Sequence, residues 1–402
     1  MARASGGVAA IAGLLVIAAT GGVAAAANAT KAVGDAAFAA VDPFIGTGGE
    51  GHTFPGATVP FGMVQLSPDT RIQARKDAYG WAAGYRHSDD TIVGFSHTHF
   101  SGTGHSDLGD VLLMPIAGEV EYERGDPDKP GSGYTSRFRH ETEVAQPGYY
   151  AVTLDDGGIR AELTAGARIG VHRYAFPQGK PAHVLVDLRT SMYDYPGKVQ
   201  WSRLRLRADG TVTGFRETRG WAPGRQLYFA MRFSQPLAGH EFRDTEQGIP
   251  YKGFPPPAEN DPAQRAQIEG RQLVGSFDFG TALQQPLVVK VAISPVSEDG
   301  AIANLDADMP GWDFDRVRAA AKAQWAQALG VADIDAPAPM RKAFYTALYH
   351  AFQAPSLFMD SDGRYRGPDN AVHQARGWTN YSTFSLWDTY RALHPLLTIV
   401  QP

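Results

Sequence analysis

The sequence predicts a multi-domain protein, in which a large N-terminal antiparallel β-sandwich is followed by a helical linker and the start of an α-helical domain. Two observations support this fold class. From Val111 to about Val296, apolar and polar residues alternate, which is the period of strands with one buried face. From Asp313 onwards, apolar residues recur every three or four positions, which is the period of helices.

The N-terminus has the order of a secretory signal peptide over residues 1–27. Arg3 precedes an apolar run from Val8 to Ala19, and three alanines at 25–27 suit cleavage before Asn28. An uncleaved membrane anchor is the alternative, but the run is short and rich in small residues. Residues 28–40 read as a small-residue spacer. We therefore expect export, and a periplasmic or secreted location.

Composition narrows the function classes. The 402 residues predict about two domains, and the formal net charge of −5 comes without a basic run that could track a phosphate backbone. Nucleic acid is therefore an unsuitable partner. The chain has no cysteine, so an exported protein of this size must be stabilised by its core, which suits a bacterial periplasm or exterior. Beyond the leader, we expect no membrane span.

Residues 41–296 are predicted to form the sandwich. Two hairpins are clear: one turns at Asp156-Gly157-Gly158 and the other at Ala208-Asp209-Gly210, each between runs of alternating residues. Two further strands present continuous apolar faces: Leu227, Phe229, Met231 and Phe233 on one, and Leu287, Val289, Val291 and Ile293 on the other. Many strands joined by short turns, without a helical pattern between them, indicate a sandwich.

Residues 297–336 are predicted to be a helical linker, and residues 337–402 the start of a second domain. In the linker Asp313 caps a helix that ends at Gly330, with Phe314, Val317, Ala321, Trp325, Ala328 and Leu329 on one face. In the next helix, which ends before Pro355, one face carries Met340, Phe344, Ala347, Leu348, Ala351 and Phe352. A third helix is predicted from Leu386 to Leu397, interrupted at Pro395.

The predicted helices of the second domain are too few to bury their apolar faces. Phe344, Leu348, Phe352, Leu393 and Leu396 would be partly exposed. We therefore expect this chain to be a fragment of a longer protein.

The segment Val93–Asp110 is dense in glycine, histidine and hydroxyl residues, so it is predicted to be a functional loop. His97, His99 and His105, with Asp107 or Asp110, could hold a metal ion. A polar hydrogen-bond network is the favoured alternative, because the spacing matches no zinc motif.

Four stretches carry a family resemblance: 41–49, 51–62, 94–104 and 384–398, of which the last reads F-S-L-W-D-T-Y-R-A-L-H-P-L-L-T. From about Val41 to Pro402 the chain resembles glycoside hydrolase family 92, a family of calcium-dependent, exo-acting α-mannosidases. The resemblance implies an N-terminal β-sandwich joined by helices to an (α/α)6 barrel. Residues 337–402 would then be the truncated start of that barrel, an incomplete catalytic domain.

The resemblance also implies a site. Phe61 and Gly62 match the sandwich motif that contacts the terminal mannose, and Trp387 and Asp388 match the barrel motif that packs against the sugar and accepts its hydroxyls. Without the family, this Trp-Asp pair would read as a core tryptophan beside a solvated or capping aspartate. His97, His99 and His105 are assigned only to shaping or lining the pocket.

The implied chemistry is hydrolysis with inversion, assisted by Ca²⁺ bound to the mannose hydroxyls O2 and O3. The general acid, the base and most calcium ligands are expected beyond residue 402, so no catalytic or metal residue is assigned here. Asp360, Asp362 and Asp369 are left in a turn-rich loop. The chain alone is expected to be inactive.

Three hypotheses follow from these readings. The first is an exported α-mannosidase acting on mannose-containing oligosaccharides or glycoprotein glycans. The second is a carbohydrate-binding protein without catalysis. The third is a metal hydrolase centred on His97, His99 and Asp107.

Overall fold

A computed structural model describes residues 31–70, 83–102, 108–126, 129, 131–192, 197–246, 265–383 and 385–401. The predicted signal peptide, His105, Asp107 and the proline-rich segment at 248–263 lie outside these residues. Among the residues that are described, no helix combines the length and apolar character needed to cross a membrane.

The first of two large antiparallel sheets has seven strands. In spatial order these are β1 (Ala57–Thr58), β2 (Gln65–Asp69), β4 (Gly94–Ser96), β5 (Leu112–Ala117), β11 (Ala182–Asp187), β17 (Leu273–Asp278) and β15 (Gly239–Asp244). Strand β4 occupies the start of the segment Val93–Asp110, which was predicted to be loop throughout. Its backbone pairs with the strands on both sides, Ser96 with Ser67 and Phe95 with Leu113.

The second sheet has nine strands. In spatial order these are β16 (Gln267–Gly270), β12 (Val199–Leu206), β13 (Val212–Thr218), β14 (Arg225–Phe233), β18 (Leu287–Ser294), β10 (Ile169–Ala175), β9 (Ile159–Ala165), β8 (Tyr149–Leu154) and β7 (Val144–Gln146). Both predicted hairpins are confirmed. Leu154 pairs with Ile159 across the first turn, and Leu206 pairs with Val212 across the second.

The main core lies between the two sheets, as the sandwich prediction requires. Leu113, Val184 and Phe277 from the first sheet and Phe229 and Val291 from the second belong to one cluster of fully buried side chains. Two short sheets lie outside this pair, β3 (Thr91–Ile92) with β6 (Ser136–Arg137) and β19 (Arg364–Arg366) with β20 (Val372–Gln374). The predicted turn-rich loop around Asp362 and Asp369 therefore contains the hairpin β19–β20.

Residues 31–40 form a helix (α1), which corrects the predicted spacer over 28–40. Ala37 and Phe38 are buried in a cluster with Trp325 and Tyr345. Gly34 lies so close to the linker helix that a Cβ atom there would collide with the backbone of Ala326. The small residues that suggested a spacer instead allow two helices to approach closely.

The linker contains two helices, α2 (Glu298–Asp308) and α3 (Phe314–Leu329). Helix α2 was not individually predicted, and it covers the outer face of the nine-stranded sheet through Ala301 and Leu305. For α3 the predicted cap is confirmed, because the Asp313 side chain accepts a hydrogen bond from the Arg316 amide. The Trp325 indole of α3 donates a 2.6 Å hydrogen bond to the Thr58 carbonyl, which fixes the helix on the sandwich.

Helix α4 (Ala338–Ala351) exists as predicted, but its buried face is different. The buried stripe contains Tyr345, Leu348 and Tyr349, followed by Phe352 at the C-cap, whereas Met340 and Phe344 are exposed. The predicted exposure of Leu348 and Phe352 is therefore wrong. Burial of Tyr345 is possible because its hydroxyl donates a 2.9 Å hydrogen bond to the Ala332 carbonyl.

The predicted third helix is two elements, α5 (Leu386–Thr389) and α6 (Leu393–Val400). The break falls at residues 390–392 rather than at Pro395. That proline lies in the first turn of α6, where its missing amide removes no intrahelical hydrogen bond. Leu396, Leu397 and Val400 pack against the cluster that α1, α3 and α4 share, and Phe61 of the sandwich packs there too.

Candidate functional site

Phe61 lies where the sandwich meets the start of the helical domain. Its amide donates a 2.8 Å hydrogen bond to the Phe352 carbonyl, and its carbonyl accepts a 2.8 Å hydrogen bond from the Leu357 amide. Its φ of +54° is in the left-handed region, which is uncommon for a bulky residue. Because both polar backbone groups are used by the helical part of the chain, the conformation of Phe61 depends on that part.

Gly62 is buried directly after this turn. A Cβ atom at Gly62 would lie 2.9 Å from the Val59 side chain and 3.2 Å from the Val59 carbonyl oxygen. The Gly62 amide donates to that carbonyl at 3.0 Å, which closes the turn. A larger residue here would therefore crowd Val59 within the tight turn, whatever the role of Gly62 toward a ligand.

Gln65, at the start of β2, connects the parts of this site and was missed from the sequence. Its side-chain amide donates to the Gly62 carbonyl at 2.8 Å and to the Ser356 hydroxyl at 3.0 Å. Its side-chain oxygen accepts from the His99 amide at 3.3 Å. A lone glutamine in a buried strand gives no signal in the sequence, because only the fold places these three partners around it.

Trp387 and Asp388 lie in the single turn α5, and both are exposed, Trp387 to 79%. The alternative of a core tryptophan is therefore wrong, and the cap position belongs to Ser385 rather than to Asp388. An exposed indole beside an exposed carboxylate is available to a ligand. Whether the pair contacts a sugar stays a prediction.

Backbone hydrogen bonds link Phe61 to the segment that carries α5. Leu357, which donates to Phe61, forms a bridge with Tyr381. Next to it, the Ser382 amide donates to the Ser356 carbonyl at 2.7 Å. Backbone hydrogen bonds therefore join the sandwich side of the predicted site to the helical side. We call this junction the seam and define it by Phe61, Leu357 and Tyr381.

His97 is fully buried and belongs to a closed hydrogen-bond chain. One ring nitrogen, Nδ1, lies 2.7 Å from the Val111 carbonyl, which can only accept, so Nδ1 carries the proton. The other, Nε2, accepts from Nε2 of His172 at 3.1 Å, and Nδ1 of His172 accepts from the Tyr174 hydroxyl at 2.7 Å. Both rings are satisfied in the neutral state. Burial lowers the pKa of His97 to about 4, and burial with the neighbouring His97 lowers the pKa of His172.

His99 is buried beside β2. Its Nδ1 donates to the Gln65 carbonyl at 2.7 Å, and its Nε2 lies 3.0 Å from the Asp69 carboxylate. All four ring nitrogens of His97 and His99 therefore face protein groups, which argues against the metal hydrolase hypothesis. The predicted role of these histidines in shaping the pocket stays a prediction.

Asp110 anchors the C-terminal end of the same loop. Its carboxylate is fully buried and accepts from Arg216 at 3.1 Å, from Arg225 at 2.8 Å and from the Thr98 hydroxyl at 2.6 Å. Burial alone would raise the pKa of Asp110, but the two guanidinium groups and the Thr98 hydroxyl outweigh it and lower the pKa to about 2. This charge network ties Asp110 to Thr98 and the two arginines, and it commits the carboxylate to these partners rather than to a metal.

Asp360 is also structural. The Ser294 hydroxyl donates to one carboxylate oxygen at 2.7 Å and the Asn304 amide donates to the other at 2.8 Å. Burial raises the pKa of Asp360 despite these donors. Asp362 pairs with Arg364 and Asp369 with His373 on the exposed hairpin β19–β20. Each of the three aspartates therefore has a local partner.

Comparison with known families assigns both parts of the chain. The glycosyl hydrolase family 92 N-terminal domain matches residues 40–294, and the family 92 catalytic domain matches residues 300–402. The chain belongs to glycoside hydrolase family 92.

Solved structures of family 92 agree with this assignment. The family GH92 α-mannosidase BT3965 from Bacteroides thetaiotaomicron is 40% identical, with a TM-score of 0.82, and the match covers 91% of this chain and 47% of that one. The same enzyme has been solved in complex with mannoimidazole. The family GH92 inverting mannosidase BT2199 from that organism is 25% identical, with a TM-score of 0.73, over 89% of this chain and 45% of that one.

A curated relative gives a consistent result. An uncharacterized secreted glycosidase from Arthroderma benhamiae is 27% identical over 371 residues, which is 87% of this chain and 45% of the relative. The chain thus spans about half the length of the family 92 proteins that it matches.

Proposed function

We propose that this chain forms the sandwich and the first helices of an exported glycoside hydrolase that releases terminal mannose from α-mannosides. Mannose-containing oligosaccharides and glycoprotein glycans are the proposed substrates. Family membership supports the proposal, as do the related mannosidases and the name of the secreted relative. The observation that carries it is the seam, where Phe61 of the sandwich is bonded into the same backbone network that leads to Trp387 and Asp388.

Each of these side chains has a chemical task in the proposed complex. The exposed indole of Trp387 offers a flat apolar face to the C–H groups of a sugar ring. The Asp388 carboxylate accepts hydrogen bonds from a pair of sugar hydroxyls. Phe61, held by its two backbone hydrogen bonds, forms the opposing sandwich side. These residues bind and orient the substrate, and they transfer no proton.

Inversion requires a carboxylic acid and a carboxylate base roughly 6.5–9.5 Å apart, with a water molecule between the base and the sugar. We assign neither role within this chain, because Asp360 is committed to Ser294 and Asn304. Residues 1–402 alone are therefore proposed to be inactive.

Calcium assistance is also part of the proposal, but the described residues do not fit that ion. Calcium takes six to eight oxygen ligands. Within the described ranges, the ligand atoms of His87, His140 and Glu143 lie close enough together to share a metal ion. Two of these three ligands are imidazole nitrogens, whereas calcium prefers oxygen. No step of the proposed binding by this chain runs through calcium.

The test uses the complete reading frame with calcium and an α-linked mannobiose. We expect release of mannose, initially as the β-anomer if the reaction inverts, measured by NMR. Asp388→Asn and Trp387→Ala should each lower kcat/KM by about 10–100-fold, the loss for one or two ligand hydrogen bonds or a buried stack. Asp333→Asn and Trp201→Ala are matched controls on exposed residues that do not belong to the seam. Absence of mannose release would reject the proposed activity.

Export has its own test. Secreted material should begin at Asn28 when its N-terminus is sequenced, whereas an intact residue 1 on membrane-associated protein would reject cleavage.

Carbohydrate binding without catalysis is the second candidate for residues 1–402. The exposure of Trp387 beside Asp388 favours it, because both groups are accessible in this chain. Titration with mannose should give a saturable change in tryptophan fluorescence that Trp387→Ala abolishes and Trp201→Ala retains. A linear or absent response would reject this role.

A further inference from the structure

His87, His140 and Glu143 lie together on the sandwich and are not part of the seam. His87 belongs to the segment 83–90, which precedes β3, whereas His140 and Glu143 flank a short 3₁₀ turn (His140–Thr142) before β7. One ligand atom from each of the three side chains lies within 4.8 Å of the other two. Side chains from two separate segments of the chain thus converge on one point.

We propose that these three residues bind a divalent transition-metal ion, with Zn²⁺ as the preferred ion. Two imidazole nitrogens and one carboxylate oxygen are a common zinc ligand set, with bonds of about 2.0–2.2 Å that leave a position for water. The ligand atoms all lie within 4.8 Å of one another, and an ion among them would replace the 2.6 Å contact between Nδ1 of His140 and Oε2 of Glu143. The mixed nitrogen and oxygen set disfavours calcium and magnesium.

The buried and oriented carboxylate of Glu143 favours the binding of a cation. Its side chain is 1% exposed, and burying an anion is costly unless it is paired. The Tyr85 hydroxyl donates to both carboxylate oxygens at 3.0–3.1 Å, and the Tyr150 hydroxyl donates to Oε1 at 2.5 Å. These phenols orient the carboxylate from behind, as the outer partners of metal ligands do.

The histidines are arranged on the open side. Nδ1 of His140 lies 2.6 Å from Oε2 of Glu143, and the His87 and His140 rings have centroids 4.1 Å apart at 30°. His87 is exposed and His140 is 35% exposed, so an ion and its water have access from solvent.

Phe44 and Phe138 support the two rings from the other side. The Phe138 ring meets His140 edge-on at 5.1 Å, and the Phe44 ring meets His87 at 5.9 Å. The backbone amide of His87 also donates to the Thr47 carbonyl at 3.0 Å. The position of each ligand is therefore set by packing, and an ion here would tie the segment 83–90 to the turn before β7.

The test is zinc titration of the chelator-treated 402-residue chain by isothermal calorimetry, with Co²⁺ absorption as a second readout. We expect saturable binding at one site, visible d–d bands with Co²⁺ and a melting temperature that rises with free Zn²⁺. His87→Ala should abolish these responses, and because His87 is exposed this variant should fold normally. Tyr85→Phe should weaken binding by about 10–100-fold, as expected for an outer partner.

Two controls separate this site from chance binding. His373→Ala removes an exposed histidine elsewhere, and Glu141→Gln removes an exposed carboxylate within the same short turn. Both should retain zinc binding, whereas Glu143→Gln should lose it. The proposal is overturned if wild-type protein binds no zinc, which would leave His140 and Glu143 as an ion pair only, or if His87→Ala binds zinc as wild type does.

Discussion

The side-chain amide of Gln65 lies 3.0 Å from the hydroxyl of Ser356, a direct hydrogen bond between the first sheet and the segment after α4. The same amide also donates to Gly62, so one buried side chain supports the turn at Phe61 and the segment that pairs with it. The geometry of the predicted sugar site therefore rests on a residue that need not touch the sugar.

Gln65→Leu is expected to lower the free energy of unfolding by about 2–3 kcal/mol. Leucine has a similar volume but leaves the Gly62 carbonyl and the His99 amide without their partner in a buried site. Urea unfolding followed by circular dichroism measures the loss. Gln284→Leu, at an exposed position, should change stability by less than about 0.5 kcal/mol. Equal effects of the two substitutions would contradict the role given to Gln65.

Acidification should remove the stability that neutral His97 contributes. Its pKa of about 4 in the folded protein is below the ordinary value of about 6.5, so the contribution is complete above pH 6.5. It is lost progressively as the pH falls from 6.5 to 4 and amounts to about 3 kcal/mol. NMR titration of the histidine rings should find His97 still neutral at pH 5, and the pKa of His172 should also lie below the ordinary histidine value. A His97 ring that titrates near pH 6.5 would refute the closed hydrogen-bond chain.

We expect Asp110 to cause a second loss of stability, at a more acidic pH than His97. Because its pKa is lowered to about 2, its contribution is complete above pH 4 and is lost as the pH falls from 4 to 2. At pH 7, Asp110→Asn should cost about 3–5 kcal/mol, since it removes one partner of a buried charge pair with Arg216 and Arg225. The difference between wild type and variant should narrow below pH 4. Asp333→Asn, an exposed control, should follow the wild-type curve.

Asp360 should show the opposite pH dependence. Its pKa is raised in the folded state, so its contribution is greatest below about pH 4 and decreases as the pH rises through the folded pKa. The stability of wild type relative to Asp360→Asn should therefore decrease from pH 4 to pH 7 in urea unfolding. Asp360→Ala should cost about 2–3 kcal/mol, because Ser294 and Asn304 lose their acceptor. An unchanged difference across this pH range would contradict the assignment.

Much of the sandwich could be predicted from the sequence, because alternation and turn residues are local signals. The hairpin between Leu154 and Ile159 has both. Helix α3 could be predicted equally well, because it has one apolar stripe and a cap at Asp313. The predicted site residues Phe61, Gly62, Trp387 and Asp388 were identified through the family motifs alone. Neither hydrophobic periodicity nor residue spacing would have selected them.

The errors arose where two local interpretations were equally good. Helix α4 has apolar residues on two neighbouring stripes, and the choice depends on a distant acceptor for Tyr345 at Ala332. Helix α1 was taken for a spacer because its small residues matter only against α3. The Glu143 cluster was missed because His87 is far from it in the sequence and contributes no recognisable spacing.

Helix α2 covers the outer face of the nine-stranded sheet, and Ala230 and Ala292 lie beneath it. A cut between residues 294 and 300, where the two family matches meet, would strip that cover and also remove the partners of Phe61. The sandwich therefore depends on these later residues, and truncated variants should retain the chain through Leu357, the second backbone partner of Phe61. An exchange of sandwich domains between relatives would therefore have to include α2 and the later residues that bond to Phe61.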